Sequence, residues 1–232
     1  MIRLQIASDT ISLYSAFGAK EKKIEEVRST MNKIVFNGTQ VIPSKVVCIG
    51  RNYVEHIEEL GNETPESMVI FNKPNSAITD TLDFISEDTR FEGEICFLIQ
   101  SSEIVGVGFG LDLTKAGIQN KMKEKGLPWE RAKAFDGSAV LKEFVPFSGD
   151  LRQLRMELWI NGELAQCADY ALMIYKPLEM LAEIERFMSL EDGDIVMSGT
   201  PKGVGNYSIG DKFVGRIYEG ERLLVESSWR VQ

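Results

Sequence analysis

The stretch RFEGEICFLIQ, residues 90–100, sets two carboxylates two positions apart at the head of an apolar run. On a strand, alternate side chains share a face. Glu92, Glu94, Cys96 and Leu98 would point one way, and Phe91, Ile95, Phe97 and Ile99 the other. Burying two unpaired carboxylates side by side is costly. A hard cation of the Mg2+ or Mn2+ kind, which takes oxygen ligands, would offset that charge. The alternative is a solvated strand end with two harmless acids. Gly93 between them leaves room for another group to approach the backbone. Asp112, at the end of IVGVGFGLDLT, is either a turn or helix cap or a third oxygen ligand for the same cation. Lys133 in GLPWERAKAFD is either a solvated charge or a cation that stabilises developing negative charge beside a metal.

His56 is the only histidine in the chain. It sits in CIGRNYVEHIEELG, after a Gly-Arg-Asn-Tyr turn and within a short acidic stretch. It is either a surface residue on a short helix or the group that moves a proton. Lys73, Pro74 and Ser76 in FNKPNSAI form a rigid turn that is either a plain loop or an anion contact. Other chemistries fail on inventory. SGTPKGVG lacks the spacing of a phosphate-binding loop, and GVGFGL has Leu111 where a dinucleotide fingerprint needs glycine. No G-x-S-x-G elbow occurs, and clustered His or Cys ligands for zinc are missing.

These residues must be placed by a strand-rich frame. From residue 44 onward KVVCIG, SMVIF, EICFLI, IVGVGFGLDL, LRMELWING and DKFVGRIY are β-rich and bounded by glycine. WINGELAQ reads as a hairpin turning at Asn161-Gly162. Two helices are expected, YVEHIEEL and PLEMLAEIERFMSL, the latter with Leu178, Leu181, Ile184 and Phe187 on one face. The class is β-dominated α+β rather than alternating βαβ. Residues 1–42 read as a small N-terminal segment: a strand at IRLQI, then a helix carrying Ile24, Val27, Met31 and Ile34. Pro43 opens the main domain, residues 43–232.

Net charge is -9 with no basic block, which argues against a nucleic-acid partner. No run approaches ~18 apolar residues, so no membrane span is expected. The first residues do not read as a signal peptide. Cys48, Cys96 and Cys167 lie far apart, which suggests buried thiols and a reducing, cytoplasmic setting.

The motifs CIGRNYVEHIEELG, FNKPNSAI, FEGEICFLI, DLTKAGIQ, GLPWERAKAFD, NGELAQ and LEDGDIVMSGTPKGVG occur in an order that resembles the fumarylacetoacetate hydrolase family, over about residues 44 to 220. The similarity is strongest to its acylpyruvate hydrolase and oxaloacetate decarboxylase branch. It implies a mixed β-sandwich roll and a homodimer. It also implies a divalent cation, Mg2+ with Mn2+ or Ca2+ as alternatives, held by Glu92, Glu94 and Asp112. His56 and Glu59 would form a catalytic dyad on a short lid helix, and their three-residue spacing puts both on one helix face. Lys133 would stand beside the metal, and Gln119 and Thr200 would line the substrate pocket. The implied substrate is a small anionic 2-oxo acid, cleaved or decarboxylated through an enolate. A hydratase, isomerase or tautomerase of the same substrate class, or a non-catalytic binder, are the alternatives. The chain departs from the pattern once. Ala116 and Gly117 stand where the family commonly has Arg-Asp, and that Arg often contacts the substrate carboxylate. Arg51 or Lys73 would have to compensate.

Overall fold

In a computed structural model, which describes residues 31–59 and 67–232, the strand Gly93–Gln100 runs inside a mixed sheet. It pairs antiparallel with Glu103–Asp112 on one side and with Ile195–Met197 on the other. Ala139–Pro146, Ile34–Phe36 and Thr39–Val41 extend one edge, and Lys45–Gly50 and Val69–Pro74 the other. The alternation expected from the sequence is present. Ile95, Phe97 and Ile99 enter one buried cluster, and Cys96 and Leu98 enter another on the opposite face. Both faces are covered, which is why residues 95–99 are apolar at every position.

A second, antiparallel sheet covers the first cluster. Its strands run Glu163–Asp169, Leu154–Ile160, Lys212–Glu219, Arg222–Arg230 in spatial order. Met156, Leu158, Phe213, Ile217 and Val225 supply its share of the core. Asn161-Gly162 makes the expected hairpin turn between two of these strands. A ribbon of three short strands, Gly205–Asn206, Thr89–Phe91 and Thr114–Lys115, ties the residues before Glu92 to those after Asp112. The architecture is therefore the strand-dominated α+β arrangement anticipated above.

Several expectations need correction. The helix expected through Ile34 does not reach it. Ile34–Phe36 is a strand, paired parallel with Ala139–Pro146 and antiparallel with Thr39–Val41. The intervening Asn37-Gly38 has positive φ at both residues, the usual chemistry of a two-residue hairpin turn. Asn32–Gln232 form one compact unit. The rest of the expected N-terminal strand and helix lies outside the described residues, as does Leu60 at the end of YVEHIEEL. The helix Pro177–Glu185 buries Pro177, Met180, Leu181 and Ile184, while Leu178 and Phe187 are exposed. A strict three-residue spacing drifts around a helix of 3.6 residues per turn, and the buried residues recur at three- and four-residue separations instead. Cys48 and Cys96 are buried, but Cys167 is exposed. The helices Ala116–Glu124 and Glu130–Lys133 add to the two anticipated.

One buried carboxylate fastens the edge of the sheet that carries His56. Asp194 is fully buried. Its Oδ1 accepts from Ser44 N (2.9 Å), Ser44 Oγ (2.7 Å) and Lys45 N (3.1 Å). Its Oδ2 accepts from Glu191 N (2.9 Å) and pairs with the Lys45 ammonium. The group thus joins the starts of the parallel strands Lys45–Gly50 and Ile195–Met197. Burial pushes this carboxyl up, but Lys45 and the surrounding donors outweigh burial and hold it below the usual carboxylate range. A depressed folded pKa stabilises the protein above the unfolded value of ~4, and the contribution is lost as pH falls through the folded value. Asp194→Ala is expected to cost roughly 3 kcal/mol or more in urea unfolding at neutral pH. Asp194→Asn should flatten the acid limb of the stability curve, and an unchanged limb would refute the assignment.

Candidate active site

Antiparallel pairing brings the three carboxylates together. Glu92 immediately precedes the strand Gly93–Gln100, Glu94 is its second residue, and Asp112 ends the neighbouring strand. Gly93 lies opposite Leu111, and Asp112 N donates to Glu92 O at 2.8 Å. One oxygen from each of Glu92, Glu94 and Asp112 lies within 4.8 Å of the others. Glu94 and Asp112 are buried and Glu92 is partly exposed.

Two ammonium groups face this cluster. Lys133 Nζ is 2.8 Å from Glu92 Oε2 and 2.8 Å from Asp112 Oδ2, and it also donates to Thr114 Oγ1. Lys73 Nζ is 2.7 Å from Asp112 Oδ1. Three carboxylates face two ammoniums, and Glu94 is the one with no ammonium partner. Burial, then Asp112 and Glu92, push its carboxyl well above the usual range. Glu92 moves the other way: burial raises it, but Lys133 and His56 outweigh burial. Burial would lower Lys133, but Asp112 and Glu92 raise it above the ordinary lysine range. Converging hard oxygen donors with a surplus of negative charge suit Mg2+, Mn2+ or Ca2+.

The loop SGTPKGVG has a role that its failure as a phosphate loop concealed. Gly199 N donates to Glu94 Oε2 at 2.7 Å, and Gly203 N donates to Glu59 Oε1 at 3.0 Å. Both glycines have positive φ, and a Cβ on Gly203 would sit 2.2 Å from Ala165 O. Thr200 Oγ1 donates to Gly93 O at 2.9 Å and accepts from Gln166 Nε2 at 2.9 Å. Gln166 Oε1 in turn accepts from Gly93 N at 2.9 Å, close to where a Cβ on Gly93 would lie. The close approach expected at Gly93 is therefore made by Gln166.

His56 is buried on the helix Val54–Glu59, with Nδ1 3.3 Å from Glu59 Oε2. Glu55, on the same helix, instead faces Lys202 at 3.1 Å. The helix is anchored through Asn52, fully buried just before it. Asn52 Nδ2 donates to Ser198 O (2.8 Å) and Tyr175 O (3.1 Å), and its Oδ1 accepts from Tyr175 N (2.7 Å).

His56, Glu92, Glu94, Asp112 and Lys133 line one cavity with Arg51, Gln119 and Thr200. Glu59 stands behind His56. Lys73 does not line the cavity. It lies in the strand Val69–Pro74, opposite Val46, and the chain turns only after it, in the 3-10 helix Asn75–Ala77. Its side chain is fully buried, bonded to Asp112 and to the carbonyls of Lys133 and Leu113. Its ammonium is a buried counter-charge to Asp112. Phe71, Lys123 and Trp129 complete the wall and were not anticipated. Lys123 could have been found, because it lies four residues after Gln119 on one helix.

The small pair Ala116-Gly117 has a local account. Ala116 N donates to Asp88 O at 3.1 Å, and Gly117 N donates to Asp88 Oδ2 at 2.7 Å. Asp88 thus caps the helix Ala116–Glu124 from a neighbouring loop. A Cβ on Gly117 would stand 2.8 Å from that oxygen.

Residues 45–227 match the family model for the fumarylacetoacetate (FAA) hydrolase C-terminal domain. The chain belongs to the fumarylacetoacetate hydrolase family. It is 41% identical over 188 residues to the oxaloacetate tautomerase YcgM of Escherichia coli, covering 73% of this chain and 86% of that one. The mitochondrial oxaloacetate tautomerase oaa1 of Schizosaccharomyces pombe is 34% identical over 213 residues, covering 81% and 95%. Among solved structures, fumarylpyruvate hydrolase from Pseudomonas aeruginosa, in complex with Mn2+ and pyruvate, superposes with a TM-score of 0.78 at 31% identity. The alignment covers 87% of this chain and 95% of that one. Among the described residues, no helix is long and apolar enough to cross a membrane.

For this family member the charge balance makes a test. Glu94→Gln removes a carboxylate that burial already disfavours, so the metal-free variant should melt at or above the wild-type temperature. Its Mn2+ affinity should fall at least about tenfold by titration calorimetry, the low end of what loss of a metal-site partner does. Unchanged affinity would remove Glu94 from the ligand set.

Proposed function

We propose that the chain is a divalent-metal-dependent tautomerase of small 2-oxo acids, interconverting the keto and enol forms of oxaloacetate. The reading rests on one observation: a buried His56, paired with Glu59, lines a cavity together with three convergent carboxylates and an ammonium beside them. The sequence motifs alone point first to C–C hydrolysis or decarboxylation and second to tautomerisation. The oxaloacetate tautomerases among the relatives support the reverse order.

Tautomerisation needs one proton taken from carbon and one delivered to oxygen. Glu59 engages His56 Nδ1, which leaves Nε2 for the substrate. His56 takes the proton from C3 of the keto form, and Glu59 steadies the imidazolium that results. Gly203 N–H bonds keep Glu59 in place for that task. Lys133, within hydrogen-bond reach of Glu92 and Asp112, offsets negative charge as it develops on the 2-oxo oxygen. The proton then passes to that oxygen, and the enol leaves with all atoms accounted for. Gln119 and Thr200 offer polar contacts from the cavity wall. A divalent cation held by Glu92, Glu94 and Asp112 would supply Lewis acidity toward the same oxygen.

A second reading, hydrolysis of acylpyruvates, draws support from the likeness to the Pseudomonas fumarylpyruvate hydrolase. It would use the same dyad, with His56 taking its proton from water. A panel of 2-oxo acids assayed with Mg2+ and with Mn2+ separates the two. The expected result is rapid loss of enol absorbance for oxaloacetate and slower cleavage of acylpyruvates. His56→Ala should lower kcat by about 10²–10⁴-fold with Mn2+ affinity retained. Wild-type turnover by that variant would rule out the dyad.

A further inference from the structure

We propose that Lys123 seats the distal carboxylate of a dicarboxylic 2-oxo acid. The inference rests on the 2-oxo acid reading above and names the residue that would select within that class.

Ala116, Gln119 and Lys123 are spaced three and four residues apart, so they share one face of the helix Ala116–Glu124. Ala116 and Gln119 are buried on that face, and Gln119 and Lys123 line the cavity. Lys121 and Lys125, off that face, are exposed and solvated. The Lys123 ammonium lies 5.3 Å from the centroid of the Trp129 ring, which also lines the cavity. That aromatic face holds the ammonium without neutralising it. Among the described residues Lys123 makes no ion pair. Burial, followed by the charge of Arg51, pushes the ammonium down to about 8 even though Glu92 pulls it up. Arg51 and Lys123 both line the cavity that the three carboxylates line. An arriving carboxylate finds a charged donor in Lys123. A ligand with a carboxylate and 2-oxo group for the floor and a second carboxylate for the wall satisfies both. A monocarboxylic 2-oxo acid satisfies only the floor.

The test compares oxaloacetate with its 4-methyl ester, which lacks the distal charge, in wild type, Lys123→Met and Lys123→Arg with Mn2+ present. The selectivity ratio, kcat/KM for oxaloacetate over that for the ester, should fall at least tenfold in Lys123→Met, mainly through KM. Lys123→Arg should restore most of it. A residue that only packs against Trp129 would lower both substrates alike, and that outcome overturns the proposal. Calorimetric binding of oxaloacetate against pyruvate serves as a second readout. If wild type turns over neither substrate, the tautomerase reading fails on its own. Binding then decides for Lys123. A preference for oxaloacetate that Lys123→Met abolishes upholds the assignment, and no preference removes it.

Discussion

Three carboxylates held within 4.8 Å of one another, two of them buried, form the constraint around which this protein is arranged. Side by side in a low-dielectric interior they repel strongly. Antiparallel pairing of Gly93–Gln100 with Glu103–Asp112 nevertheless forces them together. The surroundings answer with two lysines at different depths. Lys73 is fully enclosed and neutralises Asp112 from behind. Lys133 reaches the same aspartate from the cavity side and takes Glu92 as well. The two lysines leave Glu94 without an ammonium partner, and the converging carboxylate oxygens suit the ligand preference of a hard divalent cation.

A second constraint follows from the loop after Ile195–Met197. Its backbone N–H groups bond Glu94 at Gly199 and Glu59 at Gly203. Its Ser198 carbonyl accepts from Asn52, which anchors the helix of His56. The carboxylate cluster and the His56–Glu59 pair are therefore both tied to one short stretch of backbone. Small displacements of that stretch would move both together, so the spacing between His56 and the three carboxylates depends on it. Positive φ at both glycines lets the loop aim two N–H groups at carboxylates on different elements.

How much of this was legible in the sequence depended on range. Period-two alternation around Glu92 and Glu94 fixed which side chains share a face, because a strand buried on both sides has no freedom to do otherwise. The His56–Glu59 spacing was readable because a single helical turn decides it. Lys73 was misread because a Lys-Pro dipeptide looks like a turn. Pairing with Lys45–Gly50 across the sheet edge overrode that local signal and drew the ammonium inward. Ile34 was misassigned for a different reason. A helical spacing upstream was extended to Ile34, although Asn37-Gly38 just beyond it already announced a hairpin. Asp88 was invisible because its capping of a helix at Gly117 bridges 29 residues and depends on a loop no local pattern describes.

The departure at Ala116-Gly117 joins these threads. Gly117 admits the Asp88 carboxylate to the helix terminus, and a larger residue would exclude it. An acidic cap is favourable at the positive end of a helix dipole. That arrangement orients the Ala116–Glu124 helix so that Gln119 and Lys123 line the cavity. Losing a long cation at the first turn does not leave the cavity without positive charge, because Arg51, Lys123 and Lys133 still border it. A chain of net charge -9 can thus present a locally cationic wall above an acidic floor. Overall charge governs long-range encounter, but the groups lining the site decide what stays bound. For an anionic ligand the floor becomes attractive once a cation fills it, whereas the wall is attractive at once. Metal loading and anion capture should therefore reinforce each other, because each reduces the charge repulsion the other would meet.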